Sequence, residues 1–181
     1  FQFPLYPNKN QQEKLWKHAN KCNELYNNFL GDRIEIYKKD KITIKSYDQI
    51  REITKLRKEN PEIKEIACQN LQQIPLRLEK SYKNFFRKKI GFPKFRSCKN
   101  FFGLTYVSIS KKIIQNNIFD TDQYGKIKFN KHREILGKIK QIQISNKNNK
   151  WFLNITTDYN KEKTQNNSII GIDLGITNLV A

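Results

Sequence analysis

No stretch of the 181-residue chain reaches about 18 consecutive apolar residues, so no transmembrane helix is expected. No charged, then apolar, then small-residue leader opens it, so no secretory signal peptide is read there. Position 1 is Phe1 rather than Met, and the natural chain is expected to begin a few residues earlier. Cysteine is scarce. Cys22, Cys68 and Cys98 are odd in number, far apart, and form no CxxC pair, which supports neither a zinc site nor a disulfide framework. The expectation is a reduced, cytoplasmic protein.

Acidic residues are the most telling shortage: 17 Asp and Glu face 35 Lys and Arg, a net charge of +18. Such an excess destabilises a compact chain by self-repulsion unless a polyanion neutralises it. Nucleic acid is the first expectation, and an anionic membrane surface ranks behind it. Hydrophobic residues make up only 37%, yet 12% are aromatic, so the core is expected to rest on Phe, Tyr and Ile. The length allows one domain, or two small ones, with a real core. The wealth of Lys, Asn and Ile reads as an AT-rich coding bias without functional content.

The first part of the chain reads as helical. Asn8 caps with Gln11 three residues on, and Leu15, Ala19, Cys22, Tyr26 and Phe29 fall on one helix face. Gly31 is a candidate end, although Ile34 and Tyr37 extend the pattern. A second helix starts at Ser46, with Gln49 completing a capping box and Ile50, Ile53 and Leu56 inside. Asn60-Pro61 is a stop and a new start. The third helical stretch carries Ala67, Leu71, Ile74, Leu78, Tyr82 and Phe85 on one stripe, and Pro75 is expected to kink or split it. The helical block extends to about Lys89.

After Gly91 the pattern changes. "LTYVSIS" (104–110) and "KIKF" (126–129) read as short strands. "KIKQIQIS" and "WFLNITT" flank a polar turn at Asn146–Asn149, and Trp151, Leu153 and Ile155 alternate with Phe152, Asn154 and Thr156, which predicts a hairpin. Residues 160–168 read as a linker, and "SIIGIDL" as a buried strand opening another domain.

From Lys83 to Phe119 there is no Asp or Glu, and nine Lys or Arg fall in those 37 positions. The densest part, "YKNFFRKKIGFPKFRSCK" (82–99), holds seven cations interleaved with Tyr82, Phe85, Phe86, Phe92 and Phe95. Cations neutralise phosphates, and aromatic faces stack on unpaired bases. The candidate nucleic-acid contacts are Lys83, Arg87, Lys88, Lys89, Phe92, Lys94, Phe95, Arg96 and Lys99. The plainer alternative buries Phe85 and Phe86 against the helical block, places Phe92 and Phe95 in a domain-junction core, and leaves several lysines merely solvated. His18 and His132 stand alone, without a second ligand at helical spacing, and are read as structural or surface residues. A helix-turn-helix reader is disfavoured, because the gap from about residue 31 to 46 exceeds the tight turn that motif needs.

Asp173 is a lone acid among Ile172, Leu174 and Ile176 near the end of the chain. A carboxylate on a buried strand is costly unless it is paired or holds a cation. The run "GIDLG" resembles the first strand of a ribonuclease H-like domain. That strand occurs in chaperone and sugar-kinase ATPases, near the start of the domain, and in RuvC-type nucleases. Here a long basic region precedes it, which favours the second. "LYPNKNQ" (5–11), "LEKSYKNFFRK" (78–88), "GFPKFRS" (91–97), "HREILGKIKQIQI" (132–144), "KWFLNI" (150–155) and "IIGIDLGITNLVA" (169–181) occur in that order. Together they resemble the N-terminal half of TnpB-family (OrfB-type) transposon-encoded proteins, which are related to compact type V CRISPR effectors.

The resemblance implies an α+β fold. A small oligonucleotide-binding-like β-barrel, the wedge domain, would contribute residues 1–6 and 91–160, with a helical recognition domain inserted at 7–90. Residues 161–181 would be a linker and the first strand of an incomplete RuvC domain. It implies a guide RNA from the transposon end and target double-stranded DNA as partners, with no membrane. Asp173 matches the first catalytic, metal-binding acid of a two-metal Mg2+ site, and Arg133 falls in a segment near the nucleic-acid channel. The family's other catalytic acids and its zinc element lie beyond this point, so the chain by itself is expected not to cleave DNA. The alternatives are a nuclease-inactive nucleic-acid-binding fragment or repressor and, further off, a chaperone-type ATPase start.

Overall fold

A computed structural model describes residues 1–107, 109 and 113–159. The linker at 160–168 and the strand carrying Asp173 lie outside the described residues. The order of elements is β1 (Gln2–Tyr6), α1 (Lys9–Asp40), α2 (Ser46–Glu59), α3 (Pro61–Glu65), α4 (Cys68–Phe86), β2 (Leu104–Tyr106), β3 (Ile114–Gln115), β4 (Ile118–Thr121), β5 (Gly125–Phe129), β6 (Ile139–Lys147) and β7 (Lys150–Thr157).

Helix α1 starts as its sequence predicts. The Asn8 side chain accepts from the Gln11 N–H, and the Gln11 side chain accepts from the Asn8 N–H. The expected face at Leu15, Ala19, Cys22, Tyr26 and Phe29 is buried. Gly31 does not end the helix. Two turns of side chains beyond it still have partners: Arg33 is buried, its Nε donating to Gln49 Oε1, and Ile34 packs on the core. The roughly 1 kcal/mol penalty of an interior glycine is outweighed, and the helix stops only at Lys41, in the left-handed region at φ 57°.

The start of α2 also differs in its chemistry. Asp48, not Gln49, reaches back to cap, accepting from the Lys45 N–H. Gln49 is buried and donates to the Phe29 carbonyl, joining α2 to α1. Asn60 caps α3 as expected, accepting from the Glu62 and Ile63 N–H groups, with Pro61 in the first turn. The third helical stretch is two helices, broken at Ile66–Ala67 rather than at Pro75. Pro75 sits inside α4 with its ring buried, and the helix continues through it. Leu71, Ile74 and Leu78 bury the stripe that holds it there.

The strands form one seven-stranded antiparallel sheet in the order β2-β6-β7-β1-β5-β4-β3. β1 lies in the middle, with Leu5 facing Phe129 on one side and Trp151 on the other. The sheet curls. β2 and β4 stand near opposite ends, yet the Tyr106 and Phe119 rings meet edge to face at 5.7 Å. The result is a half-barrel, open in its hydrogen bonding and closed by side chains. The β6–β7 hairpin turns on Asn148 and Asn149, both left-handed at φ 51° and 60°, the geometry of a type I′ turn. Asn116 and Asn117 do the same between β3 and β4. These two strands escaped the sequence reading because two and four residues are too few to show a period. Of "LTYVSIS" only Leu104–Tyr106 is strand among the described residues.

One continuous core joins helices and sheet, running from Leu15, Leu71 and Leu78 to Phe3, Phe129, Ile144 and Leu153. Phe3 is wholly buried in the central strand. Phe3→Ala is expected to destabilise the fold by about 3–5 kcal/mol. Phe86→Ala, on a ring 74% exposed, is expected to change stability by less than about 0.5 kcal/mol. Urea titration of both variants measures the contrast.

Candidate nucleic-acid interface

The last turn of α4 gathers the aromatic residues. Tyr82, Phe85 and Phe86 fall on neighbouring positions, and the chain then turns back so that Phe92 lands on them. Phe92 stands edge to face against Tyr82 at 5.5 Å and Phe85 at 5.3 Å, while Phe86 lies 5.3 Å from Phe85 and stacks on Tyr82 at 6.3 Å. The turn is made by Lys88, left-handed at φ 55°, whose N–H donates to the Phe85 carbonyl, and by Lys89, whose N–H donates to the Asn84 carbonyl. Arg87, Lys88 and Lys89 thus stand at the carbonyl end of the helix, where the dipole favours cations.

Beyond Gly91 the chain has no regular structure, but it is fixed. Asn27 forms a two-way bridge with the Arg96 backbone, its Nδ2 donating to the carbonyl at 2.9 Å and its Oδ1 accepting from the N–H at 2.7 Å. One turn earlier, Asn23 donates to the Asn100 carbonyl and accepts from Arg96 Nε. The Arg96 guanidinium also lies over the rings of Phe102 and Tyr26. Trp16 of α1, Phe101 and Trp151 of β7 then meet edge to face, joining helix, segment and sheet.

Arg77 completes the attachment. It lies over Phe102 at 4.6 Å and donates to the Gly103 carbonyl and to Thr105 Oγ1. Burial, with the Arg96 charge adding to it, pulls its pKa down to about 10. No carboxylate pairs with it among the described residues. Its partners are a carbonyl, a hydroxyl and a ring.

The proposed contact residues therefore divide by surroundings. Arg87, Lys88, Lys89, Lys94 and Lys99 are exposed. Lys83 is exposed but engaged, 2.8 Å from Glu79, whose carboxyl is held down to about 2 by hydrogen bonds from Lys83 and Ser46. Arg96 is committed to α1 and Phe102. Phe92 and Phe95 are 45% and 61% exposed, so neither forms a closed junction core. Phe86 is not buried against the helices as the plainer reading had it, and Phe85 is only half buried. Arg133 belongs to another part of the surface, over the Phe1 ring at 5.4 Å. Asp173 lies outside the described residues. Among those residues no group of three His, Cys, Asp or Glu is placed to hold a metal ion.

Sequence reasoning missed Asn23, Asn27 and Arg77. A signal existed for the first two: asparagines spaced by four inside a helix, beside the buried Cys22 and Tyr26, are poor helix formers and serve better as bonding groups. Nothing in the sequence separates Arg77 from the other cations.

His18 is structural, as its isolation suggested. Its ring is buried, with Nδ1 2.7 Å from the Tyr124 hydroxyl. Burial, and the charge of Lys14 behind it, lowers its pKa from 6.5 to about 4. The unfolded chain therefore binds a proton that the folded chain refuses between pH 6.5 and 4, and stability falls as pH falls through that window. Between pH 7 and 5 the protein is expected to lose about 2 kcal/mol more than a His18→Gln variant, measured by urea unfolding at each pH. Asn27→Ala is expected to cost about 1 kcal/mol and to speed hydrogen exchange at the Arg96 amide, read by exchange mass spectrometry or NMR.

Two comparisons bear on this surface. The OrfB/IS605 helix-turn-helix domain model matches residues 1–41. In this structure that region is one strand and one unbroken helix, without an internal turn. The next helix begins at Ser46, so the gap is far shorter than the sequence suggested, but it falls beyond the match. Over 183 aligned residues the chain is 25% identical to a protein of Escherichia coli (strain K12) named "Putative RNA-guided DNA endonuclease InsQ". The alignment covers 99% of this chain and 46% of the relative, so the chain spans about half the length of the protein it matches. The match of residues 1–41 to an OrfB/IS605 helix-turn-helix domain, and of nearly the whole chain to a protein named as a putative RNA-guided DNA endonuclease, bears out the TnpB-family resemblance that its motifs carry.

Proposed function

We propose that this chain is the RNA- and DNA-binding part of a transposon-associated, RNA-guided DNA endonuclease. The observation that carries the reading is the acid-free segment 83–107, presented by the end of α4 and fixed to α1 by Asn23 and Asn27. Flexible cations repel one another and lose entropy on binding. A basic segment already held in place avoids part of that cost. Its exposed Arg87, Lys88, Lys89, Lys94 and Lys99 meet phosphates as point charges and forks. The curled sheet, with helices leaving and re-entering it, agrees with a wedge-and-recognition arrangement. Sequence would be read by base pairing of a guide RNA from the transposon end, the protein holding the backbone.

The nuclease step would lie with Asp173 as the first of several carboxylates binding Mg2+, which supplies Lewis-acid stabilisation of the phosphoryl oxygens. This part of the reading rests on sequence alone. In the intact protein that carries the remaining catalytic acids, Asp173→Ala is expected to abolish DNA cleavage and to leave RNA affinity unchanged. Retained cleavage would remove the metal role.

Binding to structured RNA is expected to weaken steeply with salt. Replacing Lys88 and Lys89 by Gln is expected to lower the slope of log K against log salt by about 1–2. Affinity independent of salt, or a slope unmoved by the double variant, would argue against this surface. RNA that copurifies with the chain, sequenced, gives the direct check: a discrete species mapping beside the gene is expected.

A further inference from the structure

The exposed rings on this surface are arranged for unpaired bases rather than for a duplex. We infer that Phe86 and Phe95 are stacking platforms for single-stranded nucleotides, with Phe92 held against the Tyr82 and Phe85 rings that Phe86 also packs on. The inference rests on the nucleic-acid reading above and narrows it to one class of ligand.

Three observations carry it. First, the rings are free where it matters: Phe86 is 74% exposed and Phe95 61%, beside a core that buries Phe3, Phe29, Phe102 and Phe119 almost completely. Large apolar side chains left in water along one short stretch of chain mark an interaction site. Second, the cluster is rigid before anything binds. Phe92 is held edge to face, at 88° to Tyr82 and 85° to Phe85, and Phe86 packs on both Tyr82 and Phe85. Phe95 directly precedes Arg96, whose backbone is bridged to Asn27. The ring neighbours of Phe86 and the backbone next to Phe95 are thus in place before a ligand arrives.

Third, the charge selects the occupant. The segment from 82 to 99 holds seven cations and no acid. A second copy of the chain would bring like charge against like. A duplex would satisfy the cations through its phosphates but offers its base faces to neighbouring pairs, leaving the rings in water. An unpaired strand satisfies both, its phosphates meeting Lys88, Lys89 and Lys94 while its bases cover the rings.

The test uses the full 181-residue chain and one labelled RNA oligonucleotide of mixed sequence, free or annealed to its complement, with binding followed by anisotropy over a series of salt concentrations. The single strand is expected to bind at least tenfold more tightly than the duplex. Phe86→Ala and Phe95→Ala are each expected to weaken single-strand binding about tenfold, with duplex binding and the salt slope unchanged. Both rings are exposed, so thermal melting is expected to confirm folding. Lys88→Gln with Lys89→Gln is expected to weaken both ligands. Equal affinity for single strand and duplex, or unchanged single-strand binding in both Phe variants, overturns the stacking inference and leaves the nucleic-acid reading standing. Binding to neither overturns both. Tighter binding to anionic vesicles than to RNA, lost on Phe86→Ala, would assign the rings to a membrane instead.

Discussion

The fold depends on five residues at its beginning. β1 is the central strand of the sheet, paired to β5 through Leu5 and to β7 from Gln2 to Leu5. Its partners lie more than 120 residues away in the chain. The chain after β1 leaves the sheet and returns to it at β2. The helices occupy that excursion, and their apolar faces pack on one another and on the sheet. This is why Leu15 and Phe3 belong to a single core. Such long-range pairing is slow to form, but once formed it fixes both ends of the helical block at the sheet.

The return path is where chemistry collects. The chain leaves α4 without regular structure and must reach β2, and it does so over the flank of α1. Backbone groups along that path have no ladder to satisfy them. Asn23, Asn27 and Arg77 supply the missing partners from the helices. A helix side chain that bonds loop backbone leaves the loop's own side chains free to face outward. Hence the same residues that satisfy the backbone also display Lys94, Phe95 and Lys99 to solvent. Structure and binding divide the side chains of this stretch: Arg96, Phe101 and Phe102 pack inward, while Lys94, Phe95 and Lys99 are exposed.

The charge of the molecule is unevenly handled. Between α1 and α3 two cations are answered: Lys17 and Lys21 are near Glu62, Glu65 and Glu24. On the exit from α4, among the described residues, only Lys83 has such a partner. Arg77 and Arg96 are spent on rings and carbonyls. What remains, from Arg87 to Lys99, is cationic surface without internal compensation, and it adjoins the exposed rings. An excess of basic residues becomes a site only where the acids are absent in space as well as in sequence.

Legible in the residues alone are the helix faces, the Asn8 and Asn60 caps, the β6–β7 hairpin and the position of the basic segment. Each is local: a period of 3.6 or 2, or a side chain bonding its neighbour's backbone, needs nothing from the rest of the chain. The tertiary structure decided what local rules get wrong or leave open. Gly31 and Pro75 sit inside helices because neighbours bury the turns around them. Gln49 left its cap for a buried bond to Phe29 and Arg33. β1 took the centre of a sheet whose partners the sequence does not indicate. Above all, composition could not separate the committed Arg77 and Arg96 from the free Lys88 and Lys89, nor a buried Phe102 from an exposed Phe86. Charge and hydrophobicity are properties of a residue, whereas exposure is a property of the packed chain.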